Sequence, residues 1–244
     1  MRISMIEKWQ KEEREYSAIP RATVSRNYAL RLRRDSVPEL GFAETVQGCE
    51  DFVVLDTETT GLSPQHDRIV QLGAVRFRNG RPVEAYETLV NPQRHIDEGA
   101  SAINNLTDDI VANAPKLAEV LEGFDAFVGE DPVVGHNLRF DLLFLHYSGS
   151  NILTVPRNCY DTWTFARSFL TAKKKSRDKF TRDIVVDLSV PYEVEDFRLA
   201  SLCEYYGIMI VTQHAALADA LGTGKLFLAL QEDLRLRREK DKEK

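Results

Sequence analysis

The chain has 244 residues, 43% of them hydrophobic and 29% charged, with a formal net charge of -6 and a pI near 5.5. That length can bury one substantial core with an extension or two, and the acidic balance excludes an overall basic field, so any nucleic-acid binding has to rest on local charge. Cys49, Cys159 and Cys203 lack disulfide or metal spacing and read as reduced thiols, and no apolar run reaches the ~18 residues of a membrane span, so a soluble, cytoplasmic protein without a membrane partner is expected.

Taken in chain order, residues 1–50 are charge-dense and poor in strand signals. "IEKWQKEEREY" and "SRNYALRLRRD" suggest short helices broken near Pro20 and Pro38, forming an N-terminal extension. The core begins at Phe52, where "FVVLD" is a continuous apolar run of the kind that forms a strand covered on both faces. "RIVQLGAVRFRNG" and "RPVEAYETLV" are two further strand patterns joined at Asn79-Gly80, a strong hairpin signal. Three consecutive strands of this kind predict an antiparallel meander.

Helical spacing follows in "APKLAEVLEGFDAFVG", then a short buried strand in "PVVGHN" and a helix in "LRFDLLFLHYS". "DTWTFARSFL" is a helix with Asp161 placed as its N-cap. "FRLASLCEYYGI" is a helix ending at Gly207, and "HAALADALGTGKLFLALQEDLRLRR" is a long final one. Strands first, then helices alternating with short strands, predict a mixed sheet with helices on its faces. The main domain is expected over 51–232, and the charged tail 233–244 is expected to fray at its end.

Asp56 and Glu58 carry the main chemical signal. Residues i and i+2 of a strand project to one face, so two carboxylates stand together at a strand end, where open α/β sheets place their sites. Paired hard oxygen donors suit Mg²⁺ or Mn²⁺, and the cation offsets their repulsion. A strand cap beside a solvated acid is the plain alternative for one such pair. The downstream residues tip the balance: Asp141 falls in the first turn of the helix after "VVGHN", and His214 and Asp219 bracket the start of the last helix. Five residues are about 140° on an ideal helix, so His214 is expected at the helix boundary, leaning toward a site that Asp219 faces.

The blocks "DTETTGL", "GHNLRFD" and "HAALADA", in this order, strongly resemble the three sequence blocks of DnaQ-like 3'–5' exonucleases of the DEDD type with histidine. The resemblance runs from about Phe52 to Leu230. It implies a ribonuclease H-like α/β fold, an antiparallel three-strand meander plus parallel strands with helices on both faces. It also implies two divalent cations, Mg²⁺ or Mn²⁺, held by Asp56, Glu58, Asp141 and Asp219 beside the scissile phosphate. In this reading Asp56, Glu58 and Asp219 hold the ion that binds the attacking water and Asp56 bridges to the second. Asp141 supports the second ion, and His214 takes the water's proton.

Thr59, Gly61 and Leu62 match the stretch that holds the terminal nucleotide, with nucleic acid 3' ends as the implied partner, DNA ahead of RNA, and a DNA polymerase subunit as a further candidate. The chain departs from the pattern at Asn104-Asn105, where many members carry His-Gly; Asn104 keeps a hydrogen-bond donor for the terminal nucleotide. A second departure is the long segment between "ARSFL" and "FRLASLC", whose "KKKSRDKFTR" holds six basic residues and one acid and reads equally as a solvated loop or a phosphate-tracking arm. His136 is expected to orient the turn before Asp141. His66, His95 and His146 have no expected catalytic duty, while Phe140, Phe144, Leu145, Trp163, Tyr205 and Tyr206 are expected to pack.

Three other readings compete. The same chemistry fits RNA ends, or the protein is chiefly an interaction module on a polymerase. "LDTETTG" alone also resembles the nucleophile motif of haloacid-dehalogenase phosphatases, but these need an aspartate where this chain has Glu58, and they leave "HAALADA" unexplained.

Overall fold

The computed structural model describes residues 48–177, 184–186, 189, 191–210 and 214–243. The expected N-terminal helices and part of the basic segment therefore lie outside the described residues.

The apolar run that opens the core becomes β1 (Phe52–Thr59), with Phe52, Val53, Val54 and Leu55 all removed from water. Antiparallel to it lies β2 (Ile69–Arg78), which turns at Asn79 and Gly80 into β3 (Arg81–Leu89). Both turn residues have positive φ, 51° and 69°, the two-residue hairpin geometry that matches strand twist. On the other edge of β1 runs β4 (Val133–Gly135), parallel, and then β5 (Cys159–Asp161), also parallel. The sheet order is β3-β2-β1-β4-β5, so the expected mixed sheet is present. The sequence reading missed β5, because three residues give too short an alternation to register.

Helices cover both faces. One core joins Val53, Leu55, Leu72 and Tyr86 of the sheet to α3 (Leu117–Val128) and α4 (Arg139–Tyr147) through Phe124, Leu142 and Phe144. The opposite core joins Phe52, Val54, Val75 and Phe77 to the long α7 (Ala216–Lys242) through Leu217, Leu221 and Phe227. Phe52 stacks on Phe77 at 4.8 Å and meets Phe227 edge-on at 5.1 Å. Truncating such a ring costs roughly 3–5 kcal/mol, so Phe52 is a principal anchor between sheet and helix. Pro115 stands just outside α3, whose N-cap is Lys116.

Two short helices follow β3, α1 (Glu98–Asn104), in the helix-like stretch before "LT", and α2 (Asp108–Val111), which was not expected. Further on come α5 (Thr162–Arg167) and α6 (Leu199–Tyr206), the latter closed by Gly207 at φ 68°, the left-handed residue that ends helices. They pack on the second half of α7 through Ala166, Leu202, Cys203 and Leu230. Within the basic stretch, β6 (Lys175–Arg177) pairs antiparallel with β7 (Ile184–Val186), which follows it. Among the described residues no helix is long and apolar enough to cross a membrane.

Candidate active site

The sheet order makes β1 central, and its last residues project beyond β4, which pairs with it only at Val53 and Val54. The N–H groups of Val53, Leu55 and Thr57 face that edge, and Val53 bonds to Pro132. By Thr57 the neighbouring strand has ended, and α4 supplies the partner instead. Asp141 Oδ1 accepts from the Thr57 N–H at 2.9 Å and from its hydroxyl at 2.7 Å. The carboxylate that sequence assigned to the first turn of α4 is thereby fixed on the residue that stands between Asp56 and Glu58 in the strand.

Asp56 and Glu58 lie on the other face of β1, opposite Gly73 and Gln71 of β2. A Cβ on Gly73 would come within 2.4 Å of the Ala216 backbone. The absent side chain therefore lets the first turn of α7 settle against the sheet beside Asp56. Asp219 is in that turn, and His214 lies just before the helix at φ 59°. The left-handed backbone of His214 is held by its own N–H, which donates to Asp219 Oδ2 at 3.0 Å. Ligand atoms of Glu58, His214 and Asp219 all lie within 4.8 Å of one another, close enough to share one ion. The expected placement of His214 at the helix boundary, turned toward the face of Asp219, is what the structure has.

Electrostatics show how tightly the acids are gathered. Burial holds the Asp56 carboxyl well above the usual carboxylate range, and the charges of Asp141, Glu58 and Asp219 push it further. Glu58 is raised to about 7, first by burial and then by Asp219 and Asp141. Burial also raises Asp141 against the pull of the two Thr57 hydrogen bonds, and raises Asp219 against the His214 N–H. Buried carboxyls whose charges raise the proton affinity of Asp56 and Glu58 form a site lacking positive charge. Hard oxygen donors with one imidazole are the donor set that a divalent cation takes.

The candidate nucleotide residues are arranged differently from one another. Leu62 is 84% exposed and Ile103 of α1 is 57% exposed, both large apolar groups left to solvent. The Thr59 hydroxyl is spent on the Gly61 carbonyl at 2.6 Å. Gly61 itself is required by the Asp67 carboxylate, which a Cβ would meet at 2.5 Å. The buried Asn104 amide is engaged at both ends: Nδ2 donates to the Thr59 carbonyl at 3.3 Å, and Oδ1 accepts from Leu106 N–H at 3.0 Å. It ties α1 to the end of β1. Asn105 follows at φ 59°, a backbone conformation asparagine tolerates better than most residues.

One supporting residue does more than its sequence reading proposed. Asp161 caps α5 by accepting from Thr164 N–H at 3.2 Å, and it also accepts from Asn137 N–H at 2.7 Å. One carboxylate thus holds both the start of α5 and the turn that delivers Asp141, with Asn137 at φ 58°. His136 is the orienting residue expected: burial lowers it to about 4, and Nδ1 meets the Thr162 hydroxyl at 2.9 Å. Trp163 differs from the packing expectation, standing partly exposed under the Arg167 guanidinium at 4.2 Å. Gln71 was missed altogether, and only the pairing register of β2 against β1 could have pointed to it.

The sequence profile of the Exonuclease family (RNase_T) matches residues 53–227. A DNA polymerase III of the PolC type from Oceanobacillus iheyensis is 32% identical over 187 residues, covering 76% of this chain and 12% of that protein. Its counterpart from Thermotoga maritima is 33% identical over 187 residues, with shares of 76% and 12%. The chain thus spans about 12% of the length of these curated relatives. Among solved structures, Exonuclease X in complex with 5' overhanging duplex DNA aligns at a TM-score of 0.50 and 23% identity, covering 75% of this chain and 92% of that one. E. coli Exonuclease I in complex with a dT13 oligonucleotide aligns at 0.58 and 21%, covering 79% and 43%. These structural likenesses agree with the ribonuclease H-like sheet described above. With the profile spanning most of the chain and the polymerase relatives 32% and 33% identical over 76% of it, the chain belongs to the Exonuclease family.

Proposed function

We propose that the protein is a metal-dependent 3'–5' exonuclease that hydrolyses the terminal phosphodiester of single-stranded or frayed DNA and releases nucleoside 5'-monophosphates. One observation carries this reading: the strand pair Asp56 and Glu58 and the sequence-distant Asp141 and Asp219 meet at the end of β1 with His214 beside them.

Asp56, Glu58, Asp141 and Asp219 are the residues that would hold two divalent cations, Mg²⁺ or Mn²⁺. When bound, the ions neutralise the carboxylates and polarise the phosphodiester. The protein's own residues do the rest. Thr57 holds Asp141 in place through two donors to one oxygen. Asp219 holds the His214 backbone, leaving the exposed imidazole to take the proton of the attacking water. Asn104 donates to the Thr59 carbonyl and so ties α1, which carries Ile103, to the end of β1. Leu62 and Ile103 are exposed apolar groups suited to lie against the terminal base, a contact that tolerates any base because each has a π-face.

DNA is favoured over RNA because the aligned polymerase relatives are DNA polymerases and the aligned structures carry DNA. A polymerase partner is the corresponding proposal for assembly. The deciding experiment is a time course on 3'- and 5'-labelled DNA and RNA strands with Mg²⁺, Mn²⁺ or EDTA. Loss of the 3' label first, on DNA, only with a divalent ion, is the expected result. Activity that survives EDTA, or none on any strand, ends the proposal.

A further inference from the structure

We infer that Gln71 is a positioning residue of the site, a cap for the first turn of α7 supplied by the neighbouring strand. The inference rests on the exonuclease reading for its catalytic consequence, though not for its geometry.

The first turn of a helix leaves N–H groups without intrahelical partners, and a serine, threonine, aspartate or asparagine at the N-cap usually takes one. α7 has Ala215 at that position and no side-chain cap of its own. Its first N–H, on Ala216, donates instead to Gln71 Oε1 at 3.1 Å, across 145 positions of sequence. Gln71 is only 8% exposed, and it pairs in register with Glu58. One residue of β2 thus neighbours a site carboxylate and grips the helix that brings the others.

The amide has one workable orientation. Gln71 Nε2 donates to Glu87 Oε1 of β3 at 3.3 Å. An ionised carboxylate only accepts, so Glu87 draws the NH₂ and leaves the carbonyl oxygen toward Ala216. Two strands away from the chemistry, Glu87 thereby sets the acceptor that seats α7. Gly73, two residues along the same face, removes the side chain that would hold the helix off. Together they fix His214 and Asp219 relative to Glu58, and His214 at φ 59° needs such support because a left-handed non-glycine residue is strained.

The test compares Gln71→Leu with the exchange Gln71→Glu plus Glu87→Gln. The leucine removes both bonds. In the exchange, the new carboxylate at 71 still accepts from Ala216 N–H and the new amide at 87 donates back to it. Hydrogen exchange over 216–222 and steady-state cleavage of a labelled DNA strand in Mn²⁺ are measured on each full-length protein. Gln71→Leu should speed exchange in that turn and lower kcat, each by about tenfold, the size of one lost buried hydrogen bond, with KM changed less than about threefold. The exchange variant should bring hydrogen exchange in that turn back to within about threefold of the original protein, while its added charge beside Glu58 leaves kcat to be read from Gln71→Leu. A residue that only stabilises the fold would lower the melting temperature and leave kcat per folded molecule unmoved. Unchanged exchange and kcat in Gln71→Leu overturn the inference, as does a loss of hydrogen-exchange protection that the folded exchange variant does not restore. Should Gln71→Leu not fold, Gln71→Asn, whose amide is one carbon too short to span the gap, is read in the same way. If the original protein cleaves no strand, the exonuclease reading has failed by itself, and hydrogen exchange in the variants alone decides whether Gln71 caps the helix.

Discussion

Thr57 gives two hydrogen bonds to one oxygen of Asp141, from its backbone N–H at 2.9 Å and from its hydroxyl at 2.7 Å. The residue between the two strand carboxylates is therefore the one that locates the third. Its side chain lies on the opposite face from theirs, as strand alternation requires. Both bonds favour the ionised form of Asp141 and oppose the burial that raises it.

Replacing Thr57 by valine keeps the shape and the backbone bond and removes the hydroxyl. The expected cost is about 1–2 kcal/mol of stability, with kcat lowered roughly tenfold as Asp141 loses its fixed orientation. Chemical denaturation together with cleavage kinetics checks both. Wild-type kinetics in Thr57→Val would show that the backbone N–H suffices.

Asp56→Asn separates stability from activity. The carboxyl is buried among three others whose charges oppose its ionisation, so neutralising it relieves repulsion in the metal-free protein. The variant should melt higher than the original in EDTA at pH 8 and hydrolyse nothing in Mn²⁺. A lower melting temperature under those conditions would contradict the like-charge account.

The same acids dictate a pH dependence. A carboxyl whose proton affinity is raised by folding binds more protons in the native state, so its contribution is fully present below its unfolded pKa of about 4. That contribution is lost as pH rises through the folded value. For Glu58 that value is about 7, and Asp56, Asp141 and Asp219 shift in the same direction. Metal-free protein should therefore lose stability between about pH 5 and pH 8. Mn²⁺ should restore more of it at pH 8 than at pH 5.5, because the ion competes with those protons. Thermal melts with and without EDTA across that window test the sign.

His214→Ala distinguishes the two jobs its position allows. Acting as the base, it should cost at least ~10² in kcat and leave Mn²⁺ affinity near the original, by calorimetry. Its ring is close enough to Glu58 and Asp219 to ligate, and a large fall in Mn²⁺ affinity would assign it that role instead.

Gly73→Ala probes the seat of α7. The added methyl would meet the Ala216 backbone at 2.4 Å, and main chain gives way less readily than a side chain. Overpacking of this kind costs typically ~1–3 kcal/mol. The displaced turn carries Asp219, so activity should fall further than stability, measured as cleavage rate per folded molecule.

Local chemistry made much of this protein legible in one dimension. An apolar run unbroken from Phe52 to Leu55 means a strand covered on both faces. Asn79-Gly80 means a tight hairpin, because both residues accept positive φ. Asp161 before "TWTF" means a cap, and the spacing of Asp56 and Glu58 means a shared strand face. Each follows from backbone geometry within a few residues, which is why sequence suffices. What sequence could not supply was every relation that depends on register or on a neighbour distant in the chain. The end of β4 at Gly135 leaves the Thr57 N–H for Asp141. Gly61 answers to Asp67, and Asn104 spends its amide on Thr59 and Leu106. Ala215 cannot cap its own helix, so the partner comes from Gln71. Such bonds form only once the sheet has fixed its pairing and α7 has settled on Phe52, Val54, Val75 and Phe77. Tertiary packing on both faces of the sheet, α7 on one and α4 on the other, decided where the acids meet.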